Sequence, residues 1–363
     1  MTIFGTRPEA IKMAPLVKAL EKDPELEPIV VVTAQHREML DSVLKTFNIV
    51  PHYDLNIMKT GQTLSGITSK SMVQLEDIIK SEVPDMVLVH GDTVTTFSGA
   101  LAAFYNQTPI AHVEAGLRSY DKYSPFPEEM NRQMVGVMAD LHFAPTLNAA
   151  TNLINEGKAS DKVVVTGNTA IDAMDYTIDD QYTSQIIDKH RNKKFILLTA
   201  HRRENIGQPM KNVFKAVKRL IEDYDDLALV YPVHMNPKVR ELAETYLGNH
   251  ERIELIEPLD VVDFHNFAKH AYLIMTDSGG IQEEAPSLHK PVLVLRETTE
   301  RPEGVEAGTL KVVGTDEQQV YNATKQLLDN DIVYNKMSHA MNPYGDGKAL
   351  SLIHISEPTR LGM

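Results

Sequence analysis

Short runs of β-branched and other apolar residues alternate along the chain with segments of helical spacing. The runs PIVVVTAQH, DMVLVHGDT and PIAHVEAG in the first half are matched by FILLTAHRREN, LALVYPVH and PVLVLRE in the second. Strands that are this continuously apolar are buried on both faces, as they are in parallel sheets covered by helices on each side. The pattern therefore predicts an α/β protein with two doubly wound domains.

The length of the chain also favours two domains. Its 363 residues exceed the usual size of one hydrophobic core. Residues 175–194 become polar and acidic before FILLTA opens the next strand. We therefore predict a first domain at residues 1–170, a second at 171–340 and a C-terminal segment at 341–363. Apolar spacing and helix-start signals predict helices at 11–22, 64–81, 95–106, 128–139, 209–224, 237–247 and 317–329.

Composition and missing motifs exclude several classes of function. The chain has 50 acidic against 36 basic residues, a net charge of −14, which argues against general binding to nucleic acids or anionic membranes. No apolar run approaches the roughly 20 residues of a membrane helix, and the first residues do not form a signal peptide. Cysteine is absent, and no HExxH, EF-hand, Walker A or GxGxxG motif occurs. We expect a soluble, cytoplasmic protein that uses no metal and no cofactor.

Two carboxylates of the first half directly follow predicted strands, where ligands bind in open α/β sheets, and a third lies at a predicted helix start. Asp92 lies in VHGDTVTT, Glu114 in HVEAGLRS and Glu128 in PFPEEMNR. Together they are typical of acid and base groups that line one site. Asp92 also fits a cap of the helix that begins near Thr95, and Glu128 also fits a helix N-terminus. Glu114 has no evident cap to make, which favours a functional or buried, paired role.

The second half carries two further strand-end motifs. His201 in TAHRREN stands beside two arginines, which favours phosphate binding or proton transfer, and His234 in YPVH is a second candidate. In DSGGIQEEA, Gly279 and Gly280 let the backbone approach a phosphate, and Glu284 lies one helical turn further on, where its carboxylate can accept hydrogen bonds from ribose hydroxyls. An ordinary capped turn explains the same glycines equally well.

Basic residues in two more segments indicate an anionic ligand. In FGTRPEAIKMAPL, Arg7 and Lys12 lie where a predicted strand ends and a predicted helix begins. The unpaired amide groups and the positive dipole end of a helix start attract anions. ETTERPEGVEAG presents Arg301 among carboxylates and turn residues. This second segment fits either a solvated charged loop or a loop that offers Arg301 to a diphosphate.

Eight motifs in this order resemble those of the non-hydrolysing UDP-N-acetylglucosamine 2-epimerases. They are FGTRPEAIKMAPL, TAQHREML, VHGDTVTT, HVEAGLRS, PFPEEMNR, TAHRREN, TDSGGIQEEAP and RETTERPEG, and they span residues 4–304. The resemblance implies a glycosyltransferase-B-like fold, in which two Rossmann-like domains face a cleft, and a homodimer. It also implies reversible conversion of UDP-N-acetylglucosamine to UDP-N-acetylmannosamine through elimination of UDP, a 2-acetamidoglucal intermediate and re-addition, in the service of bacterial cell-wall or capsule polysaccharide synthesis.

The resemblance also implies roles for individual residues. For catalysis it implies Asp92, Glu114, Glu128 and His201, with the division of labour among the carboxylates left open. For substrate binding it implies Arg7, Lys12, Arg132, His234, Ser278, Gly279, Gly280, Glu284 and Arg301. Some members of the family bind a second UDP-N-acetylglucosamine as an activator, and the residues that match that region are Gln35, His36 and Gln62.

Two departures and three alternatives accompany the resemblance. The first strand looks short for the family, and after NPYGDGKA the tail from about residue 350, LSLIHISEPTRLGM, differs from the helix with which the family crosses back to the first domain. A UDP-sugar-dependent glycosyltransferase would share the fold and the DSGG turn. A hydrolysing epimerase would differ only in admitting water to the intermediate, and a UDP-sugar sensor would bind without turnover.

Overall fold

The structure, a computed structural model, describes residues 1–34, 37–57 and 61–353. It divides into two compact units. The first unit comprises Met1–Tyr176 together with the segment from Gly345 onward, and the second comprises Thr177–Tyr344.

The first unit is built on a parallel sheet, seven-stranded within the described residues, with the strand order β3-β2-β1-β4-β5-β6-β7. Its strands are β1 (Thr2–Phe4), β2 (Val30–Val32), β3 (Tyr53–Asp54), β4 (Val87–His90), β5 (Ile110–Val113), β6 (Leu141–Ala144) and β7 (Val163–Val165). Its helices are α1 (Arg7–Lys22), α2 (Arg37–Thr46), α3 (Leu64–Glu82), α4 (Val94–Tyr105), α5 (Glu128–Met138), α6 (Leu147–Asn155) and α7 (Thr169–Thr177).

The second unit repeats the plan with six parallel strands in the order β10-β9-β8-β11-β12-β13. Its strands are β8 (Lys194–Thr199), β9 (Leu227–Pro232), β10 (Ile253–Ile256), β11 (Leu273–Thr276), β12 (Val292–Val294) and β13 (Leu310–Val312). Its helices are α8 (Gln185–Lys189), α9 (Gln208–Asp223), α10 (Pro237–Leu247), α11 (Val261–His270), α12 (Gly279–Glu284), α13 (Pro302–Ala307), α14 (Glu317–Asp329) and α15 (Asp331–Ser338).

In each unit, neighbouring residues of a single strand belong to different apolar clusters. In β2, Val30 and Val32 join one apolar cluster and Val31 joins another. In β8, Leu198 and Leu197 divide in the same way. Since successive side chains of a strand point to opposite faces, each sheet carries an apolar core on both faces. This confirms the predicted α/β class with two Rossmann-like, doubly wound domains.

Helix starts in the first unit follow from short polar side chains. Thr63, Thr93 and Thr146 each precede a helix, and each side chain accepts a hydrogen bond from the backbone N–H three residues later. These bonds satisfy amide groups that have no partner within the helix. Because Thr93 caps α4, Asp92 is left without that capping role.

The C-terminal segment contributes to the first unit. Ile353 is fully buried in the same apolar cluster as Val17 and Phe143, and Leu350 packs against that cluster. The remaining residues of the atypical tail, 354–363, lie outside the described residues. Within the described ranges, none of the helices combines the length and the apolar character that crossing a membrane requires.

Candidate active site

The first strand-end turn of unit one is held by a buried carboxylate, Glu9. Glu9 accepts hydrogen bonds from the backbone N–H groups of Gly5 at 3.1 Å and Thr6 at 2.8 Å. Its other oxygen accepts from the hydroxyls of Thr93 at 2.7 Å and Thr96 at 3.1 Å. One side chain therefore fixes the turn after β1 and the turn after β4 relative to each other.

Arg7 begins α1 directly after this turn and is half-buried. Within residues 1–34, 37–57 and 61–353, its guanidinium has no hydrogen-bond or ion-pair partner. A free guanidinium beside the unpaired amide groups of a helix start favours an anionic ligand. This placement agrees with the predicted binding role of Arg7, which stays a prediction.

Asp92 follows β4 after Gly91, whose φ of 67° turns the chain. One carboxylate oxygen accepts from the Arg132 guanidinium at 2.5 Å, and the Asp92 backbone carbonyl accepts from the Asn131 amide at 2.8 Å. Burial raises the pKa of the Asp92 carboxyl, and although Arg132 opposes this, the negative charges of Glu114 and Glu128 add to it. Asp92 is thus biased toward holding a proton.

Glu114 follows β5 and adopts the left-handed region, with φ of 61°. Its carboxylate forms an ion pair with Lys12, accepts a hydrogen bond from the Asn168 amide at 3.0 Å and lies 3.6 Å from Nε2 of His90. Burial alone would raise the pKa of Glu114, but the Lys12 ammonium and the His90 ring outweigh burial and hold it well below its usual range. Glu114 is therefore held as a carboxylate.

The two carboxylates that begin α5 have different surroundings. Glu128 is half-buried and has no hydrogen-bond or ion-pair partner among the residues that the structure describes. Glu129 is fully buried and accepts from the backbone N–H groups of Ser119 at 2.9 Å and Tyr120 at 3.1 Å, and from the Gln133 amide at 2.7 Å. Glu129 anchors the preceding loop, and Glu128 remains available to a ligand.

The predicted binding residues Lys12 and Arg132 are engaged with the predicted catalytic carboxylates. Lys12 pairs with Glu114 and Arg132 pairs with Asp92. Each cation favours the ionised form of its partner: Lys12, together with His90, prevails over burial at Glu114, whereas burial prevails over Arg132 at Asp92. A direct role in substrate binding stays a prediction.

Gln35, His36 and Gln62, the three residues matched to an activator site, lie in other segments of the sequence than the carboxylates described above. Gln62 donates from its side-chain amide to the Ile57 carbonyl at 2.6 Å, just before α3 begins. Gln35 and His36 lie outside the described residues. Their predicted role stays a prediction.

In the second unit, Asp277 organises the strand-end loop that carries His201. Asp277 is fully buried, and its Oδ2 accepts from the backbone N–H groups of His201 and Arg202, each at 2.9 Å, and from the Asn205 amide at 3.1 Å. Its Oδ1 lies 3.4 Å from Nδ1 of His201. Asp277 therefore fixes the loop backbone and places a carboxylate oxygen beside the His201 imidazole.

His201 and His234 lie side by side at neighbouring strand ends. Their rings stack with centroids 5.6 Å apart and an interplanar angle of 12°. Burial and the neighbouring His201 lower the pKa of His234, although Asp277 acts in the opposite direction. His234 is therefore biased toward the neutral imidazole, and both residues are exposed.

The DSGG turn brings an arginine to the start of α12. Ser278 precedes the helix but makes no side-chain cap bond. A Cβ atom built on Gly279 would lie 3.7 Å from the Arg301 guanidinium, which also pairs with Glu283. The absence of side chains at Gly279 and Gly280 leaves room for a phosphate beside a fixed positive charge.

Among the described residues, no group of three or more His, Asp or Glu side chains is placed to hold a metal ion. Glu114 and Asp92 of the first unit are paired with Lys12 and Arg132. Carboxylates in such surroundings are suited to proton transfer and charge stabilisation.

The sequence profile of one protein family matches residues 18–356 of the chain, and that family is described as UDP-N-acetylglucosamine 2-epimerase. The chain belongs to the UDP-N-acetylglucosamine 2-epimerase family. The resemblance drawn from its motifs is thereby confirmed.

Individual epimerases agree along almost the whole chain. A UDP-N-acetylglucosamine 2-epimerase of Bacillus subtilis is 62% identical, with 96% of this chain and 92% of the relative covered. The S. aureus MnaA-UDP co-structure has a TM-score of 0.90 at 72% identity, covering 98% of this chain and 94% of that one. The UDP-GlcNAc 2-epimerase from Neisseria meningitidis bound to UDP-GlcNAc has a TM-score of 0.88 at 47% identity, covering 98% of both chains.

Several residues that shape this epimerase-family site escaped the sequence analysis. Thr6 and Glu9 form a capping-box pattern that can be recognised in the sequence. The hydrogen bonds that Glu9 accepts from the turn after β4 cannot be recognised there. In the sequence Asp277 is only the first residue of DSGGIQEEA, whereas in the structure its carboxylate accepts hydrogen bonds from the His201 loop. Nothing local distinguishes Glu129 from Glu128, because the difference lies in which backbone amides surround each carboxylate.

Proposed function

We propose that the protein interconverts UDP-N-acetylglucosamine and UDP-N-acetylmannosamine without releasing the free sugar. In the first step the C1–O bond to UDP breaks and its electron pair leaves on the diphosphate. The C2 proton passes to a base, and the C2–H electron pair forms the C1–C2 double bond of 2-acetamidoglucal. UDP then adds back to C1 while a proton arrives at the other face of C2, so that atoms and electrons balance in an isomerisation.

The observation that carries this proposal is the opposed pKa shifts of Asp92 and Glu114. Two carboxyl groups whose environments push their pKa values apart are suited to different roles in one reaction. Asp92, whose pKa is raised mainly by burial, is the better suited of the two to take up a proton. Glu114, held ionised by Lys12 and His90, is suited to stabilise positive charge that develops at C1.

Inversion at C2 needs a second proton-transfer group. The proton leaves one face of the sugar and returns to the other, which one rigidly held side chain does not achieve alone. Glu128 is suited to this role because it is half-buried and has no partner within the described residues. We assign Asp92 and Glu128 to proton transfer at C2.

We assign UDP binding to groups of the second unit. Arg301 and the Gly279–Gly280 turn suit the diphosphate, His201 suits its leaving oxygen, and Glu284 suits the ribose hydroxyls. Two similar proteins support a UDP-sugar ligand, since the S. aureus structure is titled a UDP co-structure and the Neisseria meningitidis structure is described as bound to UDP-GlcNAc.

Identification of the product tests the proposal. Purified protein is incubated with UDP-N-acetylglucosamine, and the anomeric proton signals are followed by NMR. Appearance of UDP-N-acetylmannosamine supports the proposal. Free N-acetylmannosamine would instead establish a hydrolysing epimerase, and saturable binding in calorimetry with no product would establish a sensor.

A single substitution tests the role of Glu114. Glu114→Gln removes the negative charge but keeps the shape, so turnover should fall by about a hundredfold or more. UDP affinity should stay within about threefold of the wild type, because the nucleotide is assigned to other groups. The matched control is Glu76→Gln, which removes an exposed carboxylate of α3 that pairs with Lys80. Wild-type turnover in Glu114→Gln would remove Glu114 from the chemistry.

A further inference from the structure

A buried histidine of α11 lies against the carboxylate that we assign to ribose. His265 is only 2% exposed. Its Nε2 lies 3.4 Å from Oε2 of Glu284, and its Nδ1 lies 2.6 Å from the hydroxyl oxygen of Thr177. The three side chains form a short relay within the second unit, running from the start of the unit to the helix that follows the glycine turn.

The hydrogen-bond chemistry of the relay fixes one proton. An ionised carboxylate only accepts, so the contact with Glu284 requires a hydrogen on Nε2 of His265. In the neutral imidazole Nδ1 is then an acceptor, and the Thr177 hydroxyl is the donor that faces it. Glu284 therefore selects the tautomer of His265 that carries its hydrogen on Nε2, and the bond to Thr177 orients the ring from its other side.

The relay occupies one carboxylate oxygen and leaves the other for a ligand. Oε2 of Glu284 is directed at His265, whereas Oε1 lies 3.8 Å from the position that a Cβ atom on Gly280 would take. Oε1 is thus presented toward the glycine turn where the nucleotide is assigned. The side chain of Glu284 is 16% exposed, so it is held firmly yet open to one ligand.

We propose that His265 is a positioning residue that holds Glu284 for recognition of the ribose diol and thereby sets the preference for ribonucleotides over 2′-deoxyribonucleotides. This inference rests on the proposed function, because it takes the ligand to be a UDP-sugar. His265 contacts no ligand itself. It acts through Glu284, whose carboxylate would otherwise have to be ordered at the moment of binding, at a cost in affinity.

Calorimetric binding of UDP and 2′-deoxy-UDP tests the proposal. A hydrogen bond from a hydroxyl to a charged group predicts about a tenfold preference of the wild type for UDP. His265→Phe should lower that preference to about twofold, while the affinity for 2′-deoxy-UDP stays nearly unchanged. His265→Gln, which keeps a side-chain N–H donor, should recover part of the preference. Full preference in His265→Phe would overturn the inference.

Thr177→Val provides a second test that nearly preserves side-chain shape and does not depend on His265→Phe folding. Loss of the hydroxyl should lower the preference for UDP by about threefold, because the His265 ring loses the hydrogen bond that orients it toward Glu284. The matched control is Thr324→Val, since Thr324 is also buried but bonds only to the Val320 carbonyl of its own helix among the described residues. An unchanged preference in Thr177→Val would overturn the inference.

The outcomes separate this inference from the proposed function. If the wild type binds both nucleotides equally, the inference fails while epimerisation can still be observed as UDP-N-acetylmannosamine formation. If the wild type binds neither nucleotide and forms no product, the proposed function fails and the inference fails with it. If the wild type prefers UDP and only the His265 and Thr177 variants lose that preference, the positioning role is supported.

Discussion

Asp172 should make the stability of the first unit depend on pH in a direction opposite to that of most carboxylates. The side chain lies in α7 and is 2% exposed. Its Oδ1 accepts from the Leu350 backbone N–H at 3.1 Å, whereas its Oδ2 has no hydrogen-bond partner within the described part of the chain. Burial, reinforced by the charges of Asp175 and Asp346, raises the pKa of Asp172 to about 6 against the hydrogen bonds that lower it.

The size of the effect follows from this pKa. Because folding raises the pKa from 3.8 to about 6, the folded state binds the proton more tightly than the unfolded chain does. The stabilising contribution is therefore complete below pH 3.8 and is lost as the pH rises through about 6. Between about pH 4 and about pH 8 the loss amounts to roughly 2.5 kcal/mol, an order-of-magnitude value.

Asp172→Asn isolates this contribution. Asparagine keeps an oxygen that accepts from Leu350 but cannot ionise, so any packing difference is the same at every pH. The free energy of unfolding of the variant relative to the wild type should increase by about 2 kcal/mol or more from about pH 4 to about pH 8.

Urea titrations followed by circular dichroism measure the difference, with hydrogen exchange used to assign the transition to the first unit. The matched control is Asp175→Asn, which removes an exposed carboxylate from the same helix and should leave the pH dependence largely intact. Parallel pH dependences of Asp172→Asn and the wild type would refute the reasoning.

Substitutions at three further positions probe the strand-end turns and the site. Gly5→Ala should destabilise the first unit by at least about 2 kcal/mol in urea titrations, because the new Cβ would lie 1.8 Å from the Thr33 hydroxyl; wild-type stability would contradict this. Lys12→Met should shift the acid limb of the pH–turnover profile upward, since the cation that lowers the pKa of Glu114 is lost; an unmoved limb would show that Glu114 does not need this partner. Asp277→Ala should destabilise the second unit by about 3 kcal/mol or more, measured by urea titration, because three donors lose their acceptor. Asp277→Asn, which keeps an oxygen, should recover much of that loss, and equal losses in both variants would rule out the hydrogen-bond explanation.

The fold was predictable where the apolar pattern is continuous. Each of the seven helices predicted from spacing is present within a few residues of its expected ends, as with α10 at Pro237–Leu247. The strands that were not predicted are those with weak apolar patterns. In β3 only Tyr53 and Asp54 pair with the sheet, β6 is interrupted by the buried His142, and β10 alternates a carboxylate with its apolar residues.

The site was predictable in its residue types but not in its pairings. Strand-end position singled out Asp92 and Glu114, because ligands bind at the carboxyl ends of parallel strands. Lys12 lies 102 positions from Glu114 in sequence, and their ion pair arises only because β1, β4 and β5 are neighbours in the sheet. Opposed pKa shifts depend on such pairings and on burial, so the sequence left the roles of the carboxylates open.

The measurement that tests the central claim most directly is proton NMR of the reaction with UDP-N-acetylglucosamine in deuterated water. Proton transfer through side chains that exchange with solvent predicts UDP-N-acetylmannosamine that carries deuterium at C2, with the C2 proton signal absent from the product. A product that keeps its original C2 proton would contradict the account, as would a substrate that remains unconverted and unlabelled when bound to the folded protein.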